Sequence, residues 1–113
     1  MLAHNGRTVP RFREGWDSRD IGWVRFVWDA QINGAQITDS VWTLPVEWTS
    51  LEEAFSVDFK NASGGVFHEV TQVRVSCAGA PPGVYLFTNR VAFGSGATAG
   101  VLERSVEIEV IEL

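Results

Sequence analysis

A chain of 113 residues has the length of one ordinary domain, and a domain of that size buries roughly two thirds of the surface its unfolded chain exposes. An apolar share of 45% with five Trp and seven Phe supplies one core and excludes a disordered acidic tail. The net charge of -5 argues against nucleic-acid binding, which needs a concentrated positive footprint.

The charge is uneven along the chain. Residues 1–25 hold Arg7, Arg11, Arg13, Arg19 and Arg25 against Glu14, Asp17 and Asp20, so +2 sits there and -7 on the remainder. Residues 1–20, rich in Arg and without periodicity, are expected to form an extended N-terminal arm, with one folded domain over 21–113. A basic arm on an acidic body suits docking onto another protein, and Arg7, Arg11, Arg13 and Arg19 are the candidate contacts; an ordinary solvated terminus is the alternative. The start "MLAHNGRTVPRFR" lacks the apolar region of a signal peptide, and no run of about 18 apolar residues marks a membrane span. Synthesis as a soluble product in a reducing cytosol is expected, with no membrane partner.

Apolar alternation dominates the rest, and sustained helical periodicity is absent. "IGWVRFVW" (21–28) is apolar on both faces apart from Arg25, as a central strand would be. "DAQINGAQITDS" follows, with a turn at Asn33-Gly34. A strand over 37–44 ends at Pro45, which cannot donate to a ladder. In "TSLEEA", Ser50 and Glu53 have capping-box spacing and suggest one helical turn. Phe55, Val57 and Phe59 then alternate with polar residues, "NASGG" turns the chain, and a strand runs over 70–77. There Val73, Val75 and Cys77 recur at period two, so the lone cysteine reads as a small core residue. "AGAPPG" makes a corner, and strands over about 84–93 and 101–111 flank the glycine loop "GSGATAG". Seven or eight short strands with turn signals between them form the pattern of an all-β, antiparallel, immunoglobulin-like β-sandwich.

"GVYLFTNRV" (83–91) supports that pattern. Tyr85 comes just after a turn and two residues before an inward Phe87, the arrangement of a tyrosine corner. Alternation then sends Asn89, Val91 and Phe93 inward with Tyr85 and Phe87, and Leu86, Thr88 and Arg90 outward. In the final strand Val106, Ile108 and Val110 point inward and Ser105, Glu107 and Glu109 outward. The two strands share a core only if paired positions have an odd sum, which sets Arg90 opposite Glu103 or Ser105. An exposed Arg90–Glu103 pair is worth roughly 0.2 to 1 kcal/mol and acts as a register device. Arg104 falls on the inward side beside Asn89. A buried guanidinium without a partner costs several kcal/mol, so Arg104 is expected to reach the rim or backbone carbonyls, with Asn89 as an intermediary. These polar residues either close the end of a sandwich or contact a partner protein.

Three segments, "SVWTLP" (40–45), "GVYLFTNRV" (83–91) and "ERSVEIEV" (103–110), taken in that order, resemble small tailed-bacteriophage virion proteins of the fiber-tail adaptor type. Such proteins show a Ser-x-Trp element, then Tyr-x-Val-Thr-Asn-Arg, then an Arg-Ser-Phe-like strand; Thr88, Asn89, Arg90, Arg104 and Ser105 match. Phe87 replaces a small branched residue, Val106 replaces an aromatic, and the arm is longer. The resemblance implies an immunoglobulin-like sandwich without catalysis that attaches one particle component to another, in several copies, with other virion proteins as partners. Capsid decoration or a head-fiber role is the nearest alternative.

No catalytic or metal chemistry is expected. Two His, one Cys and scattered carboxylates have no ligand spacing, no nucleophile has a matched base, and no cofactor motif occurs. The glycine loop lacks the Lys and helix of a phosphate loop. Trp16 and Trp48 lie near predicted turns, where they would anchor a protein interface, stack on a sugar as in a carbohydrate-binding module, or simply pack. Trp23, Trp28 and Trp42 are expected in the core.

Overall fold

Two sheets form because the chain supplies long alternating segments that each leave one apolar face, and each face needs the other to escape water. A computed structural model describes residues 21–77 and 80–111, together with the backbone of three two-residue strands before them. Those are β1 (Ala3–His4), β2 (Arg7–Thr8) and β3 (Trp16–Asp17). The longer strands are β4 (Ile21–Val27), β5 (Ile37–Thr43), β6 (Thr49–Lys60), β7 (Val66–Ser76), β8 (Gly83–Phe93) and β9 (Gly100–Ile111). One sheet has the order β4-β7-β6 and is antiparallel throughout. The other has the order β3-β9-β8-β5, antiparallel except that β3 runs parallel to the end of β9; β1 and β2 pair with each other.

The core fills from both sheets. Val24, Phe26, Trp28, Val73, Val75 and Cys77 come from one, and Trp42, Phe87, Val91, Ile108 and Val110 from the other. Phe26 stacks on Trp42 at 5.5 Å and 6° and meets Trp28 edge-on at 6.1 Å. Such pairs add about 0.5–1.5 kcal/mol each beyond their buried area. Cys77 is fully buried, as its period-two register implies.

The β8–β9 ladder follows the odd-sum rule along its whole length, with Arg90 opposite Glu103 and Phe87 opposite Val106. Two sequence expectations give way. The "TSLEEA" segment is strand, not helix: Ser50 does bond Glu53 at 2.9 Å, but through a register shift of β6 against β7. Pairing with β7 satisfies the backbone of alternate residues along the 12-residue β6, whereas a single isolated turn satisfies few. A short helix forms instead at α1 (Asp29–Ile32), closed by Asn33 and Gly34 at positive φ. The expected central strand, β4, is an edge, paired among the described residues only with β7.

Side chains from the opposite sheet cover parts of the open edges, which otherwise invite further pairing. Because the Trp28 N–H bonds the Glu69 carbonyl, alternation turns the Val27 carbonyl away from β7. Arg104 of β9 donates to that carbonyl at 2.7 Å. On β5, the Ile37 N–H donates to the Glu69 carboxylate at 2.8 Å, and Ser56 donates to the same oxygen at 2.7 Å. Ser56 holds φ at 52° where β6 shifts register, a strained conformation for a residue with a Cβ. The Asp29 carboxylate accepts from the His68 and Glu69 N–H groups and so fixes α1 to β7.

Candidate interaction surface

The Thr88-Asn89-Arg90 motif lies mid-strand in β8, and its three side chains have three different jobs. Asn89 points inward and is fully buried. Its Oδ1 accepts from the Thr71 hydroxyl at 2.6 Å, whose oxygen accepts from Trp28 Nε1 at 2.9 Å. Its Nδ2 donates to Ser40 Oγ at 2.9 Å and to the Val41 carbonyl at 3.2 Å. The amide therefore ties β5 and β8 to β7 across the core and, through Thr71, to Trp28 just after β4. Thr88 faces out and shares a 2.9 Å bond with Ser105. Arg90 stands opposite Glu103, one of its two expected partners, yet among the described residues no ion pair joins them. Both are exposed, so solvent competes with their attraction.

Arg104 reaches a carbonyl, as burial demands, but through no intermediary. Its guanidinium lies over Phe26 at 4.8 Å and Trp28 at 5.2 Å while bonding Val27. Burial pulls it below the usual arginine range, and stacking offsets part of the lost hydration. The Tyr85 hydroxyl donates to the Pro81 carbonyl at 2.5 Å, which completes the corner. Loss of hydration, with Glu47 adding its charge, raises that phenol above its ordinary value. On the outer face of β9 Glu107 is buried, contrary to the expectation for an outward carboxylate.

Trp48 is not an interface anchor. It is 5% exposed, packed edge-on against Phe87 at 4.8 Å and Tyr85 at 5.8 Å. The turn in which the Trp48 N–H bonds the Pro45 carbonyl swings the indole over the tyrosine corner. The other expected contacts, the side chains of Arg7, Arg11, Arg13, Trp16 and Arg19, lie outside the described residues. Trp28 and Trp42 are core, but Trp23 is not.

Trp23 leads to the surface that sequence reasoning missed. Since Trp28 bonds Thr71 inward, the even positions of β4 face the core and Trp23, Arg25 and Val27 face out. Register sets Trp23, Arg74 and Glu52 in one cross-strand row, Arg25, Gln72 and Ala54 in the next, and Val27, Val70 and Val57 in a third. The Arg25 guanidinium lies 5.4 Å from the Trp23 ring centroid and 5.2 Å from that of Phe59, and its Nε donates to Gln72 at 2.9 Å. Its two terminal nitrogens point to no acidic partner: among the described residues neither Arg25 nor Arg74 has an ion pair. Val70 is fully buried on this outer face, while Trp23 and Phe59 are half-buried. The signal was present in the period-two spacing of Trp23 and Arg25, but the Phe59 partner comes from a strand two places across.

Elsewhere, His68 bonds Asp58 at 2.8 Å, and that bond and charge raise its pKa. Among the described residues no three His, Cys, Asp or Glu side chains gather as a metal site, and no helix is long and apolar enough to cross a membrane. No protein-family model, curated protein or solved structure matches the chain.

Proposed function

We propose that the chain is a non-enzymatic structural protein of a tailed-bacteriophage particle that attaches one component to another, in the first instance as a fiber-tail or tail adaptor. The observation that carries the docking role is the outer face of the β4-β7-β6 sheet. There an arginine is held between two half-buried aromatic rings on a rigid strand framework. Trp and Arg in such settings are the residues that dominate interface energies. The phage assignment draws on the resemblance of Thr88-Asn89-Arg90 and Arg104-Ser105. Asn89 and Arg104 belong to the body rather than to a contact, since each links one sheet to the other. The immunoglobulin-like reading of the two sheets is supported by the Tyr85–Pro81 corner. Partners on this reading are other virion proteins in a symmetric assembly, and the chain resides in the virion.

The test is to locate the chain in intact particles by mass spectrometry and an electron-microscopy map. Copies at the tail or at a fiber attachment are expected, and absence from the particle refutes the reading. Copies spread over the head would move the role to capsid decoration. The carbohydrate-binding alternative loses its Trp48 platform to the core; a glycan array that is positive and sensitive to Trp23→Ala would revive it.

A further inference from the structure

We propose that the outer face of the β4-β7-β6 sheet binds an extended acidic segment of a partner protein, with one carboxylate seated in the fork of Arg25 and a second at Arg74. The inference rests on the docking role and names the chemistry of the partner. Arg25 is pre-organised for this: two rings and the Gln72 bond fix its plane and occupy Nε, leaving both terminal nitrogens as a fork. A planar fork is the arginine geometry that matches a carboxylate with two parallel bonds. Holding the side chain still before binding removes an ordering cost that a free arginine bears on association.

Spacing selects an extended ligand. Arg25 faces Gln72, and Arg74 lies two residues further along β7 on the same face. Diagonal neighbours of that kind stand about 7–8 Å apart. Carboxylates at alternate positions of an extended peptide repeat about every 6.7 Å, so a Glu-x-Glu segment reaches both arginines with its side chains on one face. Its intervening side chains then point away from the sheet. Glu52 shares the row of Arg74 without pairing to it and bounds the site on that side.

Charge complementarity favours a carboxylate-bearing protein over a nucleic acid. Two unneutralised arginines suffice for two carboxylates, while the protein as a whole carries -5. A polyphosphate backbone that extended past Arg74 along its row would meet Glu52.

The experiment titrates the full chain with a ten-residue capped peptide of alternating Thr and Glu, following Trp fluorescence and the Arg25 Nε–H resonance. Alternating Thr and Gln, and inorganic phosphate, are the controls. Saturable binding of the Glu peptide is expected, weakened by salt. Arg25→Gln should lower the affinity about tenfold, Arg74→Gln less, and Arg90→Gln on the opposite sheet not at all. Unchanged thermal midpoints certify that the variants fold. Equal binding of the Gln peptide, equal binding of phosphate, no binding, or indifference to both Arg25→Gln and Arg74→Gln would each overturn the proposal. Incorporation into particles is scored separately. A chain that enters particles but ignores the peptide keeps its virion role and loses this site, while one that binds the peptide but enters no particle does the reverse.

Discussion

Replacing Asn89 tests whether the polar interruption of β8 is a structural clamp. The amide is fully buried and makes three hydrogen bonds, to Thr71, Ser40 and the Val41 carbonyl. Each contributes about 1 kcal/mol net, and a buried group left without its partner costs about 1–3 kcal/mol. Asn89→Ala removes all three bonds and opens a small cavity, so a loss of about 3 kcal/mol is expected. For a domain of this size that lowers Tm by about 12 °C, at about 4 °C per kcal/mol. Urea unfolding should show a lower midpoint with an unchanged m value, since the surface exposed on unfolding barely changes. A double-mutant cycle sharpens the test. Asn89→Leu and Thr71→Val each break the same bond, so their combined loss should fall short of the sum by about 1 kcal/mol. A loss below about 0.5 kcal/mol for Asn89→Ala, or additivity within about 0.3 kcal/mol in the cycle, would refute the clamp.

Arg104→Ala should cost about 2 kcal/mol, because the Val27 carbonyl loses its donor and Phe26 and Trp28 lose a stacked cation. Arg104→Lys should recover less than half of that in the same urea assay, lacking the planar group. Tyr85→Phe removes only the bond to the Pro81 carbonyl and should cost about 1 kcal/mol. Gly100→Ala places a methyl 2.5 Å from the tip of the Phe93 ring, and a loss of about 1–3 kcal/mol is expected by calorimetry. His68 has its folded pKa raised by Asp58. Its stabilising contribution is therefore complete below the unfolded value of about 6.5 and is lost as pH rises through the folded value. Asp58→Asn should return the imidazole toward about 6.5 in an NMR titration, and an unmoved titration would show that the pairing is absent in solution.

Period-two alternation was enough to orient β8 and β9. Tyr85, Phe87, Asn89 and Val91 could only share a face, and the parity of the pairing with β9 followed because a one-residue slip would turn Ile108 and Val110 to water. The cost of burying charge likewise implied that Arg104 would reach the rim or backbone carbonyls, and it takes a carbonyl directly, without Asn89 between. The carbonyl of Val27, 77 positions away in sequence, was not legible, since that separation is closed only by stacking the two sheets. Trp48 was left open for the same reason: anchoring an interface, stacking on a sugar and packing all fit a tryptophan near a turn, and only the turn after Pro45 lays it on Phe87 and Tyr85.

Composition and local pattern by themselves determined an all-β chain with one core, the inward and outward faces of its last two strands, and the burial of Cys77. These follow from alternation and hydrophobicity, which act between near neighbours or along one ladder. Only the tertiary structure decided that β4 is an edge, that Asn89 joins the sheets, and that Trp23, Arg25 and Phe59 meet on an outer face. Those outcomes depend on which strand lies beside which, and sheet order is set by the global burial of apolar area rather than by any segment alone.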